Sequence, residues 1–384
     1  MEKYYYLDNA ATTKPFDEEF DLLKENNAEG FFNPSASYAK SINVKKKLEE
    51  ARKTIVDALR GSMGKLLFTS SATESNNTVF EGLHLRKGQV VLISKGEHPA
   101  VFNAAHRLEQ KGIIVKEIPL TTTGVVDEDE FKKLMTNEVA LVSVIHVSNE
   151  TGAINDIKSL YTYAKSVNKN VVFHSDGVQA FCKIKVNLIE LGVDLYSISA
   201  HKVYAPRGIA GLWIKKGVVI DALLVGGGQE DGLRSSTENV DGAIAFAYAV
   251  KRVSAELQEN FDKVLNFRKS LVSLIEKSEA GKFLKVNENE NNSPYVLSLT
   301  FDGIKGEVLM YGLEADGVLI STGSACSAKK AGNRILEAMG RTASEIVGSV
   351  RISFSPYMEY DMNYISEKIV KNVMRFQSNN IVKK

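Results

Sequence analysis

The chain is 384 residues long, 44% hydrophobic and 25% charged, the balance of a soluble globular enzyme with room for two lobes and a core in each. Its 48 basic and 47 acidic residues leave a net charge of +1, so it lacks an electrostatic footprint for nucleic acid, and no apolar run approaches the roughly 20 residues that span a bilayer. The opening run Met1-Glu2-Lys3-Tyr4-Tyr5-Tyr6-Leu7-Asp8 has no apolar signal-peptide core, and the two cysteines, Cys182 and Cys326, lack metal-ligand spacing. A cytoplasmic protein is expected, with no metal site and neither nucleic acid nor membrane as a direct partner.

From about residue 15 to 240 helical and strand-like patterns alternate, which predicts an α/β architecture with a parallel or mixed sheet under helices. Val44, Leu48, Ala51, Ile55 and Leu59 recur at helical spacing, and Gly61 supplies a stop. Leu66 to Thr69 reads as a short buried strand that turns at Ser70-Ser71-Ala72-Thr73-Glu74 into a helix carrying Val79, Phe80 and Leu83. Val90 to Ile93 predicts a strand, Glu97-His98-Pro99 a turn, and the residues up to Gly112 a helix. Val139 to Val147 is strand-like, with Asn149-Glu150-Thr151-Gly152 as its exit turn. Two further strands are expected in Val171 to Gln179 and in Leu195 to Ser199, where Leu195, Ser197 and Ser199 share one face and Tyr196 and Ile198 the other. Gly226 to Asn239 is too polar for a core, and one long helical pattern runs from about Gly242 to Lys277. The remainder, with strands at Val296 to Phe301 and Val350 to Phe354 and helices near Glu307 and Ile365, predicts a smaller α+β lobe.

The chemistry gathers at the ends of two of these strands. Asp176 and Gln179 follow Val-Val-Phe-His-Ser, and Ser199-Ala200-His201-Lys202 closes the next strand. Pyridoxal phosphate needs such a set: an amine for a Schiff base, a carboxylate for the pyridinium nitrogen, and donors for the phenolate and phosphate oxygens. Asp176 alone fits either a ring-nitrogen partner or a turn-capping carboxylate. Ala72-Thr73, where a strand gives way to a helix, fits a phosphate cradle of backbone N–H groups or a plain helix cap. His98, before Pro99, fits a stacking and proton-shuttling imidazole or a capping one. Cys326 lies in the small, polar run Ser321-Thr322-Gly323-Ser324-Ala325-Cys326-Ser327-Ala328, which suits an exposed thiol, reactive or not; Cys182 reads as a buried small hydrophobe. Arg351, a charge inside a strand, requires an anion, either a substrate carboxylate or a structural ion pair.

Taken in order, Tyr6-Leu7-Asp8-Asn9-Ala10-Ala11-Thr12-Thr13, Asn33-Pro34-Ser35, Ala72-Thr73-Glu74-Ser75-Asn76-Asn77, Asn149-Glu150-Thr151-Gly152, Ser199-Ala200-His201-Lys202, Gly227-Gly228-Gln229-Glu230, Gly323-Ser324-Ala325-Cys326 and Ser349-Val350-Arg351-Ile352-Ser353 span nearly the whole chain. This series resembles the cysteine desulfurases, a branch of the class V aminotransferase-like, fold-type I enzymes that use pyridoxal 5'-phosphate. The resemblance implies a large domain at 15–255 with a mainly parallel seven-stranded sheet, and a small α+β domain built from 1–14 and 256–384 that carries Arg351 and the Cys326 loop. It implies that Lys202 carries the Schiff base, Asp176 pairs with the pyridine nitrogen, Gln179 contacts the phenolate oxygen and His98 stacks over the ring. Ala72, Thr73, Ser199 and His201 would hold the phosphate, and Thr237 would reach the phosphate of the neighbouring subunit, which requires a homodimer. Asn149 and Arg351 would bind the substrate carboxylate, Asn149 lying beside the cofactor as well. L-cysteine would be converted to L-alanine, its sulfur leaving as a persulfide on Cys326 for an acceptor protein in iron–sulfur cluster assembly or tRNA thiolation.

The chain departs from the family pattern at several positions. Phe32 replaces a Gly, Tyr38 a common His, Ser71 a Gly, Gly177 an Ala and Ser236 a Gly, and Lys329, Lys330 and Arg334 follow Cys326 where a Pro is usual. Two other readings compete: another class V enzyme, such as a selenocysteine lyase or an aminotransferase, and a non-catalytic scaffold that binds sulfur-transfer partners. The Gly-Ser-Ala-Cys setting of Cys326 argues against an aminotransferase, and intact Lys202, Asp176 and His201 argue against a scaffold.

Overall fold

A computed structural model describes residues 4–287, 291–322 and 333–381. A short strand, β1 (Tyr5–Tyr6), opens the chain. Seven strands then form one sheet: β2 (Gly64–Thr69), β3 (Val90–Ser94), β4 (Ile114–Ile118), β5 (Val139–Ser143), β6 (Val172–Asp176), β7 (Leu195–Ser199) and β8 (Ala210–Lys215). Their spatial order is β2-β8-β7-β6-β5-β3-β4, and β8 alone runs against the others. The mainly parallel seven-stranded sheet of the sequence reading is therefore present.

Parallel sheets are covered on both faces, so their strands are apolar throughout. In β3, Val90 and Leu92 enter the core on one face while Val91 and Ile93 enter the core on the other. In β7, Tyr196 and Ile198 point to the first face and Leu195 to the second. The helix Ala72–Gly82 contributes Val79 and Phe80 to the second face; Ala39–Ala58 and Val240–Ala255 pack together over the first. Parallel strands place their carboxyl ends on one edge, where crevices for ligands form. Here that edge receives Asp176 from β6, Ser199 from β7, and the loops leaving β3 and β5.

A separate core is built on the antiparallel sheet of β9 (Leu284–Val286), β10 (Val296–Phe301) and β12 (Ser349–Ser353), in the order β12-β10-β9. The helices Leu257–Glu276 and Met362–Ile381 pack together on it. β11 (Val318–Leu319) pairs in parallel with β1 and so carries the N-terminal run into this layer.

Two expectations are corrected. The helical pattern from Gly242 to Lys277 is two helices, Val240–Ala255 and Leu257–Glu276, broken at Glu256. The Glu256 carboxylate there accepts from the Tyr357 hydroxyl at 2.6 Å, and that hydroxyl accepts from Asn260 at 2.8 Å, a long-range tie that periodicity does not register. β5 ends at Ser143 rather than Val147, although Val144 and His146 still donate to the carbonyls of His174 and Asp176. Gly177 also gains a reason: a Cβ there would lie 2.0 Å from the Tyr196 ring, whose hydroxyl bonds His146 Nδ1 at 2.8 Å.

Candidate active site

Lys202 follows β7 at the end of the single helical turn Ala200–Lys202. The N-terminal run Asn9 to Thr13 crosses this turn: Thr13 N–H and its hydroxyl both donate to the His201 carbonyl at 3.0 Å, and Lys202 Nζ donates to the carbonyls of Ala10 (2.5 Å) and Ala11 (2.6 Å). Burial, then the Arg351 charge, pulls the Lys202 amine down to about 8, against the opposing pull of Asp8, Asp176 and Glu150. The neutral amine is the nucleophile. Uptake of pyridoxal phosphate by apo-protein, followed by absorbance after mixing, is therefore expected to speed up as pH rises through about 8 and then level off. An ordinary lysine would keep accelerating toward about pH 10, and that profile would contradict the lowered amine.

Asp176 ends β6 and is buried; its Oδ2 accepts from Asn76 Nδ2 at 2.9 Å and its Oδ1 from Val178 N–H at 3.1 Å. Asp176 thus caps its turn through Oδ1 while remaining buried. Asn76 was missed as a site residue in the sequence reading. Its signal was an amide within the buried stripe of Ser75, Val79 and Phe80 in the helix Ala72–Gly82, where a polar side chain requires a partner. Gln179 Nε2 donates to the Ala10 carbonyl at 2.9 Å, the oxygen that Lys202 also uses.

His98 caps the helix Pro99–Arg107, its Nδ1 accepting from Ala100 N–H at 3.1 Å. Desolvation of the ring, then the charges of Lys202 and Arg334, lowers its pKa against the pull of Asp176. The preceding Glu97, also missed, is buried and pushed up to about 8 by desolvation and by Asp176. It accepts from Ser94 Oγ at 2.8 Å and Ile145 N–H at 2.6 Å, which ties the His98 turn to the exit of β5.

The phosphate-binding candidates lie on the same edge. Ala72 and Thr73 head a helix whose cap is Ser71, which accepts from Glu74 N–H at 3.1 Å. Glu74 pairs with Arg234 at 2.9 Å, so the Gly226–Asn239 loop closes on this helix start. Ser199 is buried, and His201 Nδ1 meets Thr12 Oγ1 at 3.1 Å; burial and the Lys202 charge hold that imidazole neutral, down to about 3. Thr237 stands exposed on the loop, and Ser236 beside it holds a left-handed φ of 121°.

Arg351, from β12, is buried in ion pairs: Nη2 with Asp8 at 2.9 Å and Nη1 with Glu150 at 3.3 Å, with Nη1 also donating to the Asn149 carbonyl at 2.9 Å. The structural pairing is therefore present. Among the described residues, however, Arg351 Nε and Asn149 Oδ1 are buried without hydrogen-bond partners. Buried polar atoms of that kind require a partner, a ligand group or an ordered water. Asn333 extends the cluster to Glu150 at 3.0 Å, and Arg334 donates to the carbonyls of Lys95 and Glu97 with its guanidinium 4.0 Å over the Phe102 ring. Cys326 lies outside the described residues. The second cysteine, Cys182, is buried and its thiol pushed up to about 12, as expected of a small hydrophobe.

An amine of lowered pKa, a buried carboxylate, an amide aimed at the same carbonyl and a helix start fit the parts of pyridoxal phosphate. The chain belongs to the class-V aminotransferase family, whose pattern matches residues 5–362. It is similar to the cysteine desulfurase IscS of Dictyoglomus turgidum, 35% identical over 381 residues covering 97% of this chain and 96% of that protein. It is likewise similar to the cysteine desulfurase IscS of Clostridium botulinum (strain Hall), 34% identical over 377 residues, 97% and 94% of the two chains. Among solved structures, a NifS-like protein superposes with a TM-score of 0.88 at 31% identity, over 98% of this chain and all of that one.

Proposed function

We propose that the protein is a pyridoxal 5'-phosphate-dependent L-cysteine desulfurase that converts L-cysteine to L-alanine and passes the sulfur, as a persulfide on Cys326, to an acceptor protein. The observation that carries this reading is the meeting of the Lys202 amine and the Gln179 amide on one carbonyl, that of Ala10. Family membership and the relatives named cysteine desulfurase support it.

Lys202 would hold the cofactor covalently and, once freed by substrate, take the proton from the substrate Cα. When bound, the cofactor supplies the electron sink for the charge left there. Asp176 would keep a proton on the ring nitrogen, Gln179 would donate to the phenolate oxygen, and Ala72, Thr73, Ser199 and His201 would hold the phosphate. His98 would stack on the ring. Arg351 Nε and Asn149, with atoms left over from their own pairings, suit the substrate carboxylate. The substrate C–S bond breaks as a Cys326 thiolate takes the sulfur; alanine and one persulfide result, with the thiol proton returned to alanine. Residues 15–255 would form the cofactor domain of a cytoplasmic homodimer, with 1–14 and 256–384 as its small domain, and Thr237 would serve the neighbouring subunit's phosphate. The acceptor route would be iron–sulfur cluster assembly or tRNA thiolation.

The test is to mix the holoenzyme with L-cysteine and a thiol reductant and to quantify alanine and sulfide. Equal amounts are expected, and Cys326→Ala is expected to cut sulfide release by roughly a hundredfold or more while leaving the cofactor absorbance band in place. A keto acid in place of alanine would make the protein an aminotransferase instead.

A further inference from the structure

Lys183 is a buried lysine, 4% exposed, whose amine forms no ion pair with a carboxylate among the described residues. A buried cation without a counter-ion is costly and calls for an anion nearby. Its Nζ donates to Gln179 Oε1 at 2.5 Å. An ammonium can only donate and a carbonyl can only accept. Lys183 on one side and the Ala10 carbonyl on the other thus allow the Gln179 amide one orientation, oxygen toward Lys183 and nitrogen toward Ala10. That nitrogen has a second N–H, and the Lys202 amine sits on the same Ala10 oxygen.

The turn between the two residues is stapled by bonds from Ala180 and Phe181 N–H to the Gly177 carbonyl and from Lys183 and Ile184 N–H to the Ala180 carbonyl. Cys182, within it, holds a left-handed φ of 56°, a conformation that a residue with a Cβ adopts at a cost. The chain accepts strain at the residue next to Lys183.

We propose that Lys183 is a positioning residue: it locks the Gln179 amide with its N–H side toward the Lys202 amine and sets a positive charge behind that amide, facing the anionic oxygen of the bound cofactor. The inference rests on the reading that pyridoxal phosphate sits at Lys202 with its phenolate oxygen on Gln179. The groups acting on Lys183 are consistent with it. Burial, then the charges of Lys202 and Arg351, draws the amine down to about 7, and the Cys182 thiol opposes them. An anion beyond the amide restores the proton.

Removing this charge lets neighbouring groups keep their protons to higher pH. The experiment compares wild type and Lys183→Met in two titrations. One is the pH dependence of the cofactor absorbance band in the holoenzyme; the other is the pH dependence of Lys202 labelling by an amine-reactive probe in the apo-protein, read by mass spectrometry. The holoenzyme midpoint is expected to rise by about one pH unit in the variant, and the apo-protein midpoint to stay near that of wild type, because without the anion Lys183 has already lost most of its charge where Lys202 titrates. Lys183→Gln, polar but uncharged, is expected to shift the holoenzyme midpoint the same way and stands in if the methionine variant does not refold. A lowered unfolding temperature with the holoenzyme midpoint unmoved would make Lys183 a packing residue and overturn the proposal. No cofactor band in the wild type would overturn the functional reading itself, and the inference with it.

Discussion

Lys202→Ala is expected to abolish the covalent cofactor band and to lower alanine formation from L-cysteine by roughly three to four orders of magnitude, since one amine serves as both nucleophile and proton carrier. The fold is expected to survive. The Ala10 carbonyl keeps its bond from Gln179, and the Thr13 bonds to the His201 carbonyl still hold the N-terminal run across the turn. Circular dichroism with spectral titration against pyridoxal phosphate checks both halves. Alanine formation within tenfold of wild type would remove Lys202 from the chemistry.

Asp176→Asn is expected to lower kcat by about a hundred- to a thousandfold, the usual cost of removing one preorganised electrostatic partner, with little change in unfolding temperature. The side chain keeps its volume and can still accept from Val178 N–H. Its new amide can donate to Asn76 Oδ1, a buried acceptor without a partner among the described residues. What disappears is the negative charge that would hold a proton on the ring nitrogen. Steady-state kinetics together with a thermal melt separates the two effects. A drop in stability without a drop in kcat would mean that Asp176 only caps its turn.

The alternation in Leu195 to Ser199 and the apolar run before Asp176 placed both strands, and with them the edge where the chemistry gathers, because burial on two faces leaves a local mark in residue type. The order of the short polar runs made the family legible. β8 was not anticipated, and its reversed direction follows from pairing with β2 and β7, which no local period encodes. The break at Glu256 was hidden because either side of it keeps helical spacing, and the contact with Tyr357 that marks it spans about a hundred residues.

The sequence by itself determined the inventory: an amine, a carboxylate, an amide and an imidazole at strand ends, and a cysteine in a small polar run. Only the tertiary structure decided who meets whom. Arg351 closes on Asp8 from the far end of the chain, Asn76 finds Asp176 a hundred residues away, and Lys183 turns the Gln179 amide toward Lys202. The physical reason is that residue type records the burial of each position, whereas orientation and pKa depend on charges and donors that chain closure brings within a few ångströms.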